Sequence, residues 1–170
     1  MFTLVTLSEQ AGIERFEPRV PETGGDAVVW AIDDARLRNY LVPRDCPRVT
    51  YYAGRETTDA DRERFLGSSA AVLAIERGWY ERLRSCRLYC YQLPPETFAC
   101  VDDCAGYFVS RVSVSPVSIE IIDDPISELL RRGVDVRILA NLCPLRDAVV
   151  KSSLQFSMIR MRHALPNQAA

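Results

Sequence analysis

The stretch from Asp26 to Gly54 constrains the fold more than any other part of the chain. Residues 28–32, Val-Val-Trp-Ala-Ile, form a continuous apolar run, the pattern of a strand buried on both faces. Asp33 or Asp34 can cap the helix that follows, because a carboxylate there accepts the free N–H groups of a first turn. Leu37, Tyr40 and Leu41 give that helix one apolar face. Pro43 and Pro47 bracket a stiff Pro-Arg-Asp-Cys-Pro-Arg turn, and residues 49–53 read as a second strand with Tyr51 and Tyr52 on opposite faces. Two strands, a short helix and a rigid turn in so little chain leave few arrangements other than a sheet with layers added around it.

The flanking sequence supplies those layers. Residues 2–7 read as a first strand, and the spacing of Ile13 and Phe16 suggests one helical turn. Residues 57–66 open with threonine caps and early acids and stop at Gly67. Strands are expected over 70–75, 87–93, 107–114, 117–122 and 134–139. A helix around Trp79, Tyr80 and Leu83 and another starting at Asp123-Asp124-Pro125 and ending at Gly133 lie between them. Residues 145–165 read as the longest helix, with one stripe through Val150, Leu154, Met158, Met161 and Leu165 and an Asp147–Lys151 pair on its polar side. No βα period repeats. The expectation is therefore an α+β fold: one domain over 1–165, a mixed, mostly antiparallel sheet with helices packed around it, and a flexible tail over 166–170.

Charge and composition then exclude several classes. A net charge of -2 argues against a generic grip on nucleic acid. There is no apolar run long enough for a membrane span and no basic leader at Met1, so a cytoplasmic protein is expected. In that setting a disulfide scaffold is improbable for the six cysteines. Lys151 is the one lysine among 21 basic residues, a bias that a GC-rich genome explains and that arginine's recognition chemistry would also produce.

Residue types narrow the chemistry further. His163 is the only histidine, which removes a Ser-His-Asp triad and a two-histidine metal helix; it reads as a helix-end residue. The glycines form neither common phosphate cradle. Cys86, Cys90, Cys100 and Cys104 could in spacing hold zinc, but a strand places Cys86 and Cys90 too far apart to chelate one ion, so free thiols and no metal site are expected. The pairs Asp33-Asp34, Asp102-Asp103 and Asp123-Asp124 point apart and read as caps and turn formers. Arg44, Asp45, Arg48, Tyr51 and Tyr52 form a better candidate, because a proline-stiffened turn presents guanidinium groups that match phosphate or carboxylate. An internal Arg–Asp bridge pinning the turn remains the alternative. Trp30 and Tyr40 read either as core or as an aromatic ligand wall.

These residues carry a resemblance. Leu7-Ser8-Glu9, Ile13 through Arg19, Val29 through Asp33, and Tyr40-Leu41-x-Pro43-Arg44-Asp45-Cys46-Pro47-Arg48-Val49-Thr50-x-Tyr52-Ala53 resemble a bacterial family of unknown function. The likeness continues through Tyr107-x-Val109-Ser110-Arg111, Pro144 through Asp147 and Leu154 through Arg162. More distantly, the order of elements is similar to the ADP-ribosyltransferase fold. That similarity implies a position near Thr6 for holding the NAD ribose, aromatics around the nicotinamide at Trp30 and Tyr40, and a catalytic glutamate near residues 110–112. Here Thr6 stands in place of histidine, Val112 stands where glutamate is expected, and the next glutamate is Glu120. Transfer without that carboxylate loses its main electrostatic term, which implies binding without catalysis.

Two functions follow as expectations. The first is an ADP-ribosyltransferase-like domain binding an anionic or nucleotide-like small molecule, with NAD or ADP-ribose in mind. Trp30, Tyr40, Arg44, Arg48, Tyr52, Ser110 and Arg111 would line its pocket. The second is a non-enzymatic interaction or homo-oligomeric protein using Arg146, Gln155, Arg160 and Arg162 on the last helix.

Overall fold

The computed structural model describes residues 3–22, 24–103 and 105–167. In chain order its strands are β1 (Leu4–Ser8), β2 (Val29–Asp33), β3 (Arg48–Tyr52), β4 (Ala71–Glu76), β5 (Leu88–Leu93), β6 (Ala99–Asp102), β7 (Tyr107–Ser110), β8 (Ser118–Ile122), β9 (Val134–Leu139) and β10 (Gln155–Ile159). The α-helices are short: α1 (Asp59–Asp61), α2 (Tyr80–Ser85), α3 (Pro125–Arg131) and α4 (Cys143–Val150). The architecture is α+β and mostly antiparallel. None of the described helices is long and apolar enough to cross a membrane. The chain divides into two compact units, Met1–Tyr40 with Arg87–Asp123 and Leu41–Cys86 with Asp124–Ala170.

The first unit is a six-stranded sheet in the order β6-β7-β2-β1-β5-β8, antiparallel throughout. One face carries the apolar cluster of Leu4, Val29, Ala31, Tyr91, Leu93 and Val114, with Phe16, Phe98 and Phe108 packed on it. Ile13 and Phe16 do not form the expected helical turn. Phe16 bridges Val114 through two backbone bonds and sets its ring edge-on to Tyr91 at 5.2 Å, while the Ile13 N–H donates to the Tyr91 hydroxyl. Tertiary pairing here overrides the three-residue spacing of a single apolar pair, too short a pattern to commit the chain to a helix. β7 stops at Ser110, short of the expected 107–114 run, because Val114 pairs with Phe16 instead. β6 was not foreseen; its four residues are all exposed, so it has no apolar signature.

The second unit is a four-stranded sheet in the order β10-β3-β4-β9, with β4 and β9 parallel and the other pairs antiparallel. All six β4 residues are buried, which makes it the core strand. Val49, Tyr51, Phe65, Leu66, Val72, Ala74, Leu142, Val149 and Leu154 form the apolar cluster of this unit. Fully burying each large member contributes roughly 1.5–3 kcal/mol. The Thr58 hydroxyl accepts the Asp61 N–H and caps α1, which continues as a π-type turn over Arg62–Leu66 until Gly67 at φ 57 ends it. Asp124 caps α3, and Gly133 at φ 73 follows its end.

The long helix expected over 145–165 is not present. α4 ends at Val150, β10 runs antiparallel to β3, and Met161–His163 is a single 3-10 turn. Serine chemistry explains the break. The Val149 carbonyl accepts both the N–H and the hydroxyl of Ser152, and the Ser152 hydroxyl in turn accepts the Leu154 N–H. Such local bonds compete with the helix ladder. Residues 155–159 then satisfy the period-two pairing of an edge strand, so the helical stripe was drawn across a real boundary. Asp147 pairs with its neighbour Arg146 at 2.8 Å; Lys151 contributes only at longer range. His163, expected at a helix end, closes that 3-10 turn and donates from Nδ1 to the Asp45 carbonyl at 2.8 Å, which ties down the proline-bracketed turn.

Candidate functional site

In the first unit an interlocked group of aromatic residues is built on β2 and β7. Register places Trp30 opposite Val109 and Ile32 opposite Tyr107, so Trp30 and Tyr107 share one face of the sheet. Their rings meet edge to face at 5.8 Å and 85°. Tyr40, at the end of the 3-10 segment Asp34–Asn39, donates its hydroxyl to that of Tyr107 at 2.7 Å. Trp30 was expected to be buried on both faces of β2, yet it is 45% exposed. Its indole N–H donates to no described residue.

A clamp holds this group in place. Asp33 accepts the Arg36 N–H at 2.9 Å and the Arg36 guanidinium at 3.1 Å, which fixes the segment leading to Tyr40. The Asp33 N–H donates to the Gly106 carbonyl, while Arg36 Nη2 reaches the Asp103 carbonyl. Gly106 adopts φ +67, and a Cβ there would stand 2.5 Å from the Asp33 carboxylate. Only glycine allows this approach, and Tyr107 follows it directly. Of the paired acids, Asp33 and Asp124 are caps and Asp102 accepts the Ala105 N–H in a turn, in the roles their sequence suggested.

The other candidate residues lie elsewhere. Ser110 is fully buried on the opposite face of β7 from Tyr107, its hydroxyl bonded to Thr97 and to the Val112 carbonyl. Arg111, past the end of β7, is exposed and pairs with Asp26 at 2.9 Å. Thr6 pairs with Tyr91 in the register that puts Leu4 opposite Asp33, so it too faces away from Trp30. Glu120 on β8 is three strands from Trp30, about 14 Å at ~4.8 Å per strand.

Arg44, Arg48 and Tyr52 belong to the second unit. Arg48 is 3% exposed, and its Nη1 donates to the carbonyls of Cys46 at 2.9 Å and Arg44 at 3.2 Å. It staples the turn through these backbone carbonyls. Cys46 is buried beside it, and burial pushes its thiol up to about 12 against the opposing charge of Arg48. Arg44 is exposed and Tyr52 half-buried. Also in this unit, Glu76 is buried and accepts the backbone N–H groups of Leu142 and Leu165, each at 3.1 Å. The Arg146, Gln155, Arg160 and Arg162 set does not share a helix, since these residues fall on α4, β10 and the turn after it.

Sequence reasoning missed Tyr107, whose only signal was its place at the start of a strand beside Gly106. It also missed a cavity of about 340 Å³ within the second unit, lined by Asp61, Arg64, Phe65, Asp147, Ala148 and Lys151 among others. The lone lysine was the available clue. Among the described residues no group of three or more His, Cys, Asp and Glu side chains is arranged to hold a metal ion.

A family model described as a family of unknown function, DUF6886, matches residues 5–164. No curated protein and no solved structure matches the chain.

Proposed function

The chain belongs to DUF6886, a family of unknown function, and from its own side chains we propose that it binds a small molecule by stacking a planar, nucleotide-like ring on Trp30. One observation carries this reading: Trp30 is 45% exposed, yet its ring is fixed against Tyr107, which Tyr40 holds by a 2.7 Å bond. Leaving about 100 Å² of indole in water forgoes roughly 2.5 kcal/mol of burial. A loose surface tryptophan would need no such scaffold. The indole N–H, unbonded among the described residues, adds one directional donor for a ligand.

The resemblance to ADP-ribosyltransferases supports the ligand class, because it gives Trp30 and Tyr40 the role of an aromatic wall. NAD and ADP-ribose are therefore the first ligands to test. Transfer chemistry is not part of the proposal. Val112 stands exposed where a carboxylate is required, and Glu120 is too distant to replace it on the Trp30 face. Stacking supplies roughly 1–3 kcal/mol and one charge-assisted bond about as much again, which centres the affinity near the millimolar range. Free thiols at Cys46, Cys86, Cys90, Cys100 and Cys143 suit a reducing compartment and support a cytoplasmic setting.

Thermal denaturation in millimolar NAD, ADP-ribose or AMP tests the proposal, since a ligand that binds only the folded state stabilises it by mass action. At ten times Kd the gain is about 1.4 kcal/mol, or a rise of about 3–5 °C for a chain of this size. Trp30→Ala should abolish the rise. No rise with any of the three, or a rise that survives Trp30→Ala, would overturn it.

A further inference from the structure

The groove in the second unit is framed by two helical faces. Asp61, Arg64 and Phe65 are spaced as i, i+3 and i+4 on the segment that begins with α1, and Pro144, Asp147, Ala148 and Lys151 as i, i+3, i+4 and i+7 on α4 and its cap. Residues at those spacings line one side of a helix, so each segment turns a single face to the groove. The Arg62–Leu66 turn is π-type, closed by the Gly67 N–H on the Arg62 carbonyl at 3.0 Å, a geometry that occurs mostly as single turns and is frequent at functional sites. The Ser153 N–H and hydroxyl bond Asp61 at 2.7 and 2.6 Å, and the Ser153 hydroxyl accepts the Thr58 N–H at 2.9 Å, so the chain after α4 is tied to the start of α1.

The charges are unevenly committed. Asp61 is held by those two Ser153 bonds, and Asp147 accepts Arg146 Nε at 2.8 Å. Arg64 and Lys151 are exposed, and neither donates a hydrogen bond nor forms an ion pair with a described residue. Arg64 instead lays its guanidinium 4.9 Å over the Phe65 ring. The groove therefore offers two cations that form no direct ion pair among the described residues, though Asp61 attracts Arg64 and Asp147 attracts Lys151 at longer range, beside an apolar wall of Phe65, Pro144 and Ala148. Lys151, the only lysine in a chain with 20 arginines, is one of the residues lining the groove.

We propose that this groove binds a small organic carboxylate, its oxygens held by Arg64 and Lys151 and its apolar body resting on Phe65 and Ala148. A volume of about 340 Å³ suits a metabolite-sized ligand and lies at the small end of ligand pockets. The Asp61 and Asp147 carboxylates also line the groove and penalise a second negative charge, so a monoanion is favoured over a phosphate dianion. This site uses none of the residues assigned to ring binding and stands or falls separately.

The single lysine makes the test direct. Reductive methylation with isotope-labelled formaldehyde places one reporter on Lys151, distinct from the α-amino group, and keeps its charge. Titrating the full chain with sodium benzoate at constant ionic strength should shift the Lys151 methyl resonance saturably, and Arg64→Ala should weaken the apparent affinity at least ten-fold. Inorganic phosphate and phenyl phosphate should move it less. The proposal is overturned if benzoate moves the resonance no more than chloride does, if the response is unchanged in Arg64→Ala, or if phenyl phosphate binds more tightly than benzoate. Arg64 is exposed, so its loss leaves the fold intact, and far-ultraviolet circular dichroism checks that directly.

Discussion

The Tyr40 hydroxyl donates to the Tyr107 hydroxyl across 2.7 Å, joining the turn after β2 to the start of β7 within the first unit. Tyr107 in turn presents its ring to Trp30 at 85°. The orientation of an exposed indole thus depends on a tyrosine ten residues further along the chain.

Tyr40→Phe removes that bond and keeps the ring. The expected cost is about 1 kcal/mol of stability, measured by urea denaturation, together with a two- to five-fold loss of affinity for whichever nucleotide stabilises the wild type. Equal affinity in the variant would mean that the bond does not orient the ring.

Arg48→Ala should lower stability by about 2–4 kcal/mol whether or not ligand is present. The Cys46 and Arg44 carbonyls lose a charged donor, and the buried side chain loses its packing. Arg48→Lys should recover less than half of the loss, because an ammonium cannot reproduce a planar fork. A stability change below about 0.5 kcal/mol in urea would contradict the stapling role.

Acid should weaken the Asp61–Ser153 contact. Side-chain and backbone hydrogen bonds from Ser153 hold the Asp61 carboxyl below its ordinary 3.8. A depressed folded-state value means that this stabilisation is present above the unfolded value and is lost as pH falls through the folded one. Wild-type stability should therefore fall more steeply than that of Asp61→Asn below about pH 4. Parallel curves for the two proteins would show that the contact contributes nothing.

Thiol reactivity should divide by burial. With its thiol pushed up to about 12, Cys46 carries almost no thiolate at neutral pH and should resist maleimide in the native protein, whereas exposed Cys100 should label readily. Peptide mapping by mass spectrometry distinguishes them, and labelling of Cys46 before unfolding would contradict the buried turn.

Local signals in the sequence located most strands. The continuous run ending at Ile32, the alternation through Leu88–Leu93 and the capped start at Pro125 each depend on near neighbours, and each is found in the structure. Long-range pairing was not legible. Residues 155–159 have a period that helix and strand both accommodate, and only β3 alongside decides for a strand. The same limit applied to the site. Trp30 and Tyr40 were visible as aromatics, but Tyr107 joins them through a register that no local pattern encodes. Arg48 looked like an anion ligand because its turn is stiff, and its burial against carbonyls appears only once the turn is folded.

The most direct measurement is tryptophan fluorescence during titration with ADP-ribose. The chain has two tryptophans, so a Trp79→Phe background leaves Trp30 as the sole reporter. Stacking of the adenine ring on Trp30 should quench the emission along a saturable curve, with a half-point near the millimolar range, and Tyr40→Phe should move that point to higher concentration. Emission that stays constant throughout that range, in a protein whose circular dichroism shows it folded, would contradict the account.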